Sequence, residues 1–117
     1  MKYTCPCCGY LMFEEPPGSY DICKICFWED DMFQLRFQTL DIGANNASLI
    51  EAQRNYKKFG ASELRLKQYT RLPTKKDKRD TNWRIFDPAK DIINKDFYGV
   101  ARDYEWEKDK LSLYYWR

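Results

Sequence analysis

The sequence predicts an α+β fold, in which an N-terminal four-cysteine ribbon precedes a short strand and two or three helices. Three observations predict it. Two Cys-x-x-Cys pairs lie near the N-terminus, an alternating apolar pattern follows over 33–40, and a capped amphipathic pattern follows over 49–59. At 117 residues the chain fits a single domain, 1–117, with a ribbon lobe over 1–31 and an α+β or helical remainder over 32–117.

The two cysteine pairs have the spacing of a structural zinc site. Each Cys-x-x-Cys unit forms a tight turn, or knuckle, that directs two sulfurs at one centre, and two such units supply a tetrahedral four-thiolate shell. The Pro-Pro-Gly turn between the pairs predicts one β-hairpin with two knuckles, its strands near 10–13 and 20–22. The predicted ligands of this zinc ribbon are Cys5, Cys8, Cys23 and Cys26.

Other interpretations of the cysteines are a redox dithiol and a pair of disulfides. Neither pair starts a helix, which is the usual setting of a catalytic Cys-x-x-Cys. The N-terminus has no apolar signal region and no apolar run is long enough to span a bilayer, so we expect a cytoplasmic protein with reduced thiols and no membrane partner. The fifth cysteine, Cys7, is predicted to be a small residue of the knuckle turn, and the alternative is a spare ligand or reactive thiol.

The clearest predicted helix spans 49–59. Ser48 and Glu51 form a capping box at its start, and apolar residues recur along one face at helical spacing. Gly60 is a good left-handed stop. Earlier in the chain, alternating apolar residues over 33–40 predict a half-buried strand.

The chain beyond this helix is less regular. A polar and basic stretch over 65–83 predicts a loop or surface arm. Asp87-Pro88 is a typical helix start and predicts a helix over 88–97. We expect another helix over 102–110 and an extended tail after it.

Several linked motifs run through the first two thirds of the chain: Cys5-Pro6-Cys7-Cys8-Gly9-Tyr10, Cys23 to Asp31, Gly43 to Leu49, Asn55 to Ala61, and Arg71 to Trp83. Together they resemble the bacterial cysteine-rich CPCC family over about residues 3–84. The family typically has proline where this chain has Lys24, a difference that leaves the ligands unchanged. The resemblance implies a zinc-binding domain without a settled activity, and small bacterial proteins of this type often lie beside toxin genes, which implies an immunity-type role.

The residue types favour a binding module over an enzyme. The chain has no histidine, so the commonest general base and any Ser-His or Cys-His pair are missing. A four-cysteine zinc also has no open coordination position for a substrate. An uncharacterised hydrolase or redox protein is therefore the second alternative.

The charge distribution favours a protein partner over nucleic acid. Acidic residues dominate 1–35, and basic residues concentrate in 71–84. A four-thiolate zinc adds negative charge that repels phosphates from the ribbon. The basic stretch contains aromatic residues for stacking, so a nucleic-acid-binding or regulatory ribbon is the first alternative.

The predicted docking surface for a protein partner, such as a basic toxin, is the cluster that follows the second cysteine pair. It consists of Trp28, Glu29, Asp30 and Asp31. For Trp28 the preferred interpretation is a bulky cap over the knuckle. The aromatic tail 114–116 is a further interface candidate if exposed, and otherwise closes the core.

Overall fold

The computed structural model describes residues 2–91 and 110–117. In these ranges it has the α+β composition expected from the sequence, with short strands, α-helices and 3₁₀ helices. None of the helices in these two ranges is long and apolar enough to cross a membrane. In chain order the elements are β1 (Tyr3–Thr4), β2 (Leu11–Phe13), α1 (Met32–Arg36), α2 (Leu49–Phe59), the first 3₁₀ helix (Leu64–Tyr69) and the second 3₁₀ helix (Lys110–Leu113).

Each cysteine pair lies in the turn of its own small hairpin. β1 and β2 pair antiparallel around the first cysteine pair, and an antiparallel bridge flanks the second pair. The strand expected near 10–13 is confirmed as β2, but its predicted pairing with 20–22 is wrong. A Cys-x-x-Cys turn is itself tight enough to reverse the chain, so the Pro-Pro-Gly turn connects two hairpins instead of closing one.

The strand predicted over 33–40 is wrong, because this stretch begins as helix α1. Asp31 caps the helix: its Oδ1 accepts hydrogen bonds from the backbone N–H groups of Phe33 (2.8 Å) and Gln34 (3.3 Å). An alternating pattern assumes that its polar positions face solvent. Here Gln34 is as fully buried as its apolar neighbour Leu35. The alternation of apolar and polar residues therefore does not indicate which side chains face solvent.

Helix α2 has the predicted bounds, 49–59. The Oγ of Ser48 accepts a hydrogen bond from the N–H of Glu51 at 3.2 Å, which confirms the N-cap. Gly60 ends the helix in the left-handed conformation, with φ 83°. The face that this helix buries consists of Leu49, Ala52 and Gln53.

Residues 78–83, which we call the strap, pair with the first hairpin. The N–H of Leu11 donates to the carbonyl of Lys78 at 2.8 Å, and the N–H of Asp80 donates to the carbonyl of Gly9 at 2.8 Å. The stretch predicted as a loop or surface arm therefore begins in the first 3₁₀ helix and ends as a strand-like segment beside β2. This pairing places the strap next to the first cysteine pair.

The C-terminal residues 110–117 close the core. They form the second 3₁₀ helix and a turn, so the prediction of an extended tail is wrong. Tyr114 and Trp116 are both buried, and the hydroxyl of Tyr114 donates to the carbonyl of Thr4 at 3.2 Å. The aromatic tail thus packs inside the fold and is not an exposed interface.

The two helices predicted near the C-terminus lie mostly outside the described residues, and the described part of the first, 88–91, forms a turn and a bend. Asp87 does start a turn, because its Oδ1 accepts a hydrogen bond from the N–H of Ala89 at 2.9 Å. The rest of the helix predicted over 88–97, and most of the helix predicted over 102–110, lie beyond the described ranges.

Candidate metal centre

Four cysteine sulfurs converge in the core. The Sγ atoms of Cys5 and Cys26 lie 3.6 Å apart, and those of Cys8 and Cys23 lie 3.8 Å apart. A disulfide requires about 2.05 Å, so these are free thiols. A tetrahedral zinc ion with Zn–S bonds of about 2.3 Å separates its sulfurs by about 3.8 Å, which matches both pairs. All four ligand candidates are buried, with sulfurs within 4.8 Å of one another: Cys5, Cys8, Cys23 and Cys26.

Two backbone hydrogen bonds shape the first knuckle, residues 5–9. The N–H of Gly9 donates to the carbonyl of Cys5 at 2.8 Å, and the N–H of Cys5 donates to the carbonyl of Tyr10 at 2.8 Å. Gly9 has φ 82°, a left-handed conformation that glycine adopts without steric cost. The two bonds turn the chain so that both sulfurs of this pair face the same centre.

The second knuckle, residues 23–27, repeats this pattern bond for bond. The N–H of Phe27 donates to the carbonyl of Cys23 at 2.7 Å, and the N–H of Cys23 donates to the carbonyl of Trp28 at 2.9 Å. Phe27 occupies the position equivalent to Gly9 and has φ 67°, which costs a residue with a Cβ about 1–2 kcal/mol. Its ring packs against Tyr69 with centroids 5.2 Å apart, a contact that offsets part of that cost.

The strap covers the first knuckle with two side chains. The indole N–H of Trp83 donates to the carbonyl of Pro6 at 3.0 Å, and its ring lies so close to Gly9 that a Cβ there would be 2.5 Å from two ring carbons. The guanidinium of Arg79 donates to the carbonyl of Cys8 at 2.8 Å. It thereby brings a positive charge to the backbone of the first knuckle.

A buried amide network supports the second knuckle. The side chain of Asn45 accepts from the N–H of Glu29 and donates to its carbonyl, both at 2.9 Å. Asn45 also donates to Oε1 of Gln34 at 2.9 Å. The backbone of the knuckle itself is held by the N–H of Ser62, which donates to the carbonyl of Cys26 at 2.8 Å.

The protonation of the sulfurs is uneven in the protein without metal. Burial raises the pKa of the Cys5 and Cys26 thiols above the ordinary thiol value. Hydrogen bonds from its neighbours, first of all Cys26, lower the pKa of Cys23. Because a metal binds thiolates, filling this centre releases the protons of the remaining thiols. We therefore expect the affinity for a divalent metal to fall as the pH falls.

Cys7 lies outside the group of four sulfurs. It is buried in the first knuckle, and burial raises the pKa of its thiol. A buried thiol with a raised pKa is poorly reactive, since the thiolate is the nucleophilic form. These features agree with a small residue of the turn.

The structure gives the residues proposed for partner docking largely internal roles. Trp28, Asp30 and Asp31 are 0%, 2% and 4% exposed, and Glu29 is only partly exposed. Asp31 caps α1, and Asp30 accepts hydrogen bonds from the N–H and hydroxyl of Ser19 at 3.2 and 2.7 Å. In this structure the cluster therefore offers a partner little more than Glu29.

The sequence analysis did not identify the residues outside the two cysteine pairs that contact and support the knuckles. Gln34 and Asn45 form the amide network, and Arg79 and Trp83 cover the first knuckle. A glutamine inside an apolar run was a signal for the first pair. For the strap no local signal existed, since Arg79 lies 71 positions from the carbonyl that it contacts.

Comparison with known proteins supports the assignment drawn from the motifs. Among curated proteins, none matches this chain. A family model described as cysteine-rich CPCC matches residues 3–77, a range that includes both knuckles, α1 and α2. The chain therefore belongs to the cysteine-rich CPCC family.

Proposed function

We propose that this protein is a zinc-stabilised module that binds another protein and whose metal serves the fold rather than catalysis. The observation that carries the proposal is the group of four buried sulfurs at tetrahedral spacing. Four thiolates favour zinc among the divalent metals of the cell and leave it no open position for a substrate. Five free cysteines also support a reducing compartment such as the cytoplasm.

The energy scale supports a structural role for the metal. Each hairpin is short, and the elements around it are small. Structural zinc contributes roughly 10–16 kcal/mol of apparent binding free energy at neutral pH. A whole domain is stable by only about 5–15 kcal/mol. A zinc ion that joins the two knuckles therefore decides whether the N-terminal half is folded.

An exposed apolar surface beside the second knuckle supports protein binding. Ile22, Phe27 and Tyr69 line a cavity of about 360 Å³ together with Lys24 and Arg71, and the Arg71 charge is compensated by an ion pair with Asp77 at 2.8 Å. We call this surface the knuckle patch. Tyr69 is 57% exposed. Exposed aromatic and aliphatic side chains on a rigid turn are typical of protein interfaces.

The family resemblance supports a toxin as the partner, and the charge of the N-terminal lobe supports a basic one. Glu14, Glu15 and Asp21 are exposed in this lobe, whereas most of the acidic cluster predicted for docking is buried. We therefore propose the knuckle patch as the docking surface, with these exposed acids providing electrostatic steering.

Metal analysis tests the structural part of the proposal. We expect about one zinc ion per chain in the purified protein. Cys23→Ser is expected to lose the metal and the cooperative unfolding transition, while Cys7→Ser retains both. Full zinc content in Cys23→Ser, or its loss in Cys7→Ser, would contradict the assignment of the ligands.

A binding comparison tests the interaction part. The zinc-loaded protein, Tyr69→Asp and Leu64→Asp are used to retain partners from cells of the native host. Leu64 lies on the same 3₁₀ helix and is also exposed, but it does not line the knuckle patch. We expect one protein to be retained by the wild type and by Leu64→Asp and lost with Tyr69→Asp. Retention of nucleic acid alone, with a steep loss on added salt, would refute protein binding.

A further inference from the structure

A cavity of about 600 Å³ lies between α2 and the segment 84–90. We call it the helix cleft. Sites for small molecules have volumes of roughly 300–1,000 Å³, so the helix cleft is large enough for an organic ligand. None of the four clustered cysteines lines it, and it shares no lining residue with the knuckle patch.

One wall of the helix cleft is apolar and held in place. The N–H of Phe86 donates to Oε1 of the buried Gln53 at 2.9 Å. Its ring packs edge-on against Tyr115, with centroids 5.1 Å apart. The neighbouring Ile85 points an apolar side chain to solvent and is 53% exposed. An apolar wall fixed by hydrogen bonds is a preformed contact surface.

The other wall is cationic. Arg54 and Lys57 lie about one turn apart on α2 and line the cleft. Both are exposed, and among the described residues neither makes an ion pair or a side-chain hydrogen bond. Nearby, the guanidinium of Arg84 is already neutralised by Asp91, with two contacts of 2.7 and 2.6 Å.

The remaining charged residues do not cancel the two helix cations. Lys90 also lines the cleft and lies close enough to Asp91 to help lower its pKa. The carboxylate among the lining residues belongs to Asp87, and its single negative charge is balanced by the charge of Lys90, so the charges of Arg54 and Lys57 remain. The helix cleft therefore joins an apolar wall to a net positive wall.

We propose that the helix cleft binds organic anions that have a compact apolar body. The anionic group would contact Arg54 and Lys57, and the apolar body would pack on Ile85 and Phe86. An inorganic anion lacks the second contact, and an organic cation of the same shape is repelled by the first. The proposal is independent of the metal and of the knuckle patch, because neither contributes to this cavity.

Two organic probes of matched shape and opposite charge test the charge requirement, and an inorganic anion tests the apolar requirement. The zinc-loaded, isotope-labelled full chain is titrated with indole-3-acetate, with tryptamine and with inorganic sulfate, and binding is followed by NMR. We expect saturable shifts at the amides of 50–57 and 84–90 with indole-3-acetate and at least about tenfold weaker binding of the other two, a difference of about 1.4 kcal/mol. Tryptamine lacks the charge contact, and sulfate lacks the apolar contact. Equal binding of tryptamine or of sulfate would overturn the proposal.

Matched variants locate the site. Lys57→Glu is compared with Lys58→Glu, because Lys58 is the adjacent exposed lysine and does not line the cleft. Ile85→Asp is compared with Ile42→Asp, because Ile42 is similarly exposed at 59% and lies elsewhere. We expect Lys57→Glu and Ile85→Asp each to weaken indole-3-acetate binding about tenfold, with little change in the two controls. Equal effects within either pair would overturn the proposal. A thermal unfolding midpoint equal to that of the wild type verifies that each variant is folded.

Discussion

A single methyl group added at Gly9 tests how the strap packs on the first knuckle. Gly9 has φ 82°, and a Cβ at this position would lie 2.5 Å from two carbons of the Trp83 ring. Gly60 provides a matched control, because it has φ 83° and a Cβ there would meet nothing within 4 Å. Gly9→Ala therefore adds a backbone penalty and a clash, whereas Gly60→Ala adds the backbone penalty alone.

The two contributions set the expected magnitude. A left-handed conformation costs an alanine about 1–2 kcal/mol. Forcing an extra methyl group into a packed site costs typically about 1–3 kcal/mol. The ring of Trp83 cannot move freely, because its N–H is bonded to the carbonyl of Pro6. We expect Gly9→Ala to destabilise the protein by about 2–5 kcal/mol and Gly60→Ala by about 1–2 kcal/mol.

The assay is denaturant unfolding at a fixed excess of zinc, since a ligand that binds only the folded state shifts the apparent free energy of unfolding. Trp83→Ala provides the second arm of a double-mutant cycle. In that background, we expect Gly9→Ala to cost no more than Gly60→Ala, because the clashing ring is absent. If Gly9→Ala costs the same with and without Trp83, the strap does not pack on the knuckle as described.

Three further predictions concern the network, the buried acid and the metal. Asn45→Ala is expected to lower the free energy of unfolding by at least about 2 kcal/mol, because it leaves the N–H and carbonyl of Glu29 without their partners. An effect below about 0.5 kcal/mol in urea unfolding would contradict a stabilising role for these two hydrogen bonds. Burial raises the pKa of Asp30 from 3.8 to about 6, so the folded state holds this proton more tightly than the unfolded chain does. Stability contributed by this group is therefore lost as the pH rises from about 4 to 6, by at most about 3 kcal/mol. Asp30→Asn cannot ionise, and we expect it to gain stability relative to the wild type over that interval; parallel pH profiles of the two zinc-loaded proteins would refute this. Removal of the metal with a chelator is expected to abolish cooperative unfolding and to proceed more readily at lower pH, as the protons of Cys5 and Cys26 return; a calorimetric transition that survives complete metal removal would contradict a structural role.

The parts of the fold that were predicted correctly depend on local signals. Helix α2 carries its own cap, apolar face and glycine stop within 48–60, and each cysteine pair shapes its own turn. Because these features involve neighbours in sequence, no knowledge of the remaining fold was needed to identify them.

The parts that were wrong or missed depend on contacts between distant residues. The helix start at 32–36 carries one local signal, the Asp31 cap, but the apolar alternation misled because Gln34 turns inward to bond with Asn45, 11 positions away. The strap reaches the first knuckle across 71 positions. No pattern within a short window encodes either contact, so an apolar alternation and a basic run suggested a strand and a surface arm.

The distance along the chain between the first knuckle and its cover has a consequence for biosynthesis. All four sulfurs have left the ribosome once position 26 emerges, but Trp83 is translated more than 50 positions later. At the 5–20 residues per second typical of translation, the nascent chain exposes the thiols to the cellular metal pool for roughly 3–10 seconds before Arg79 and Trp83 can reach the knuckle. A metal ion would therefore meet an uncovered first knuckle during synthesis, and Arg79 and Trp83 would close over the knuckle backbone only afterwards.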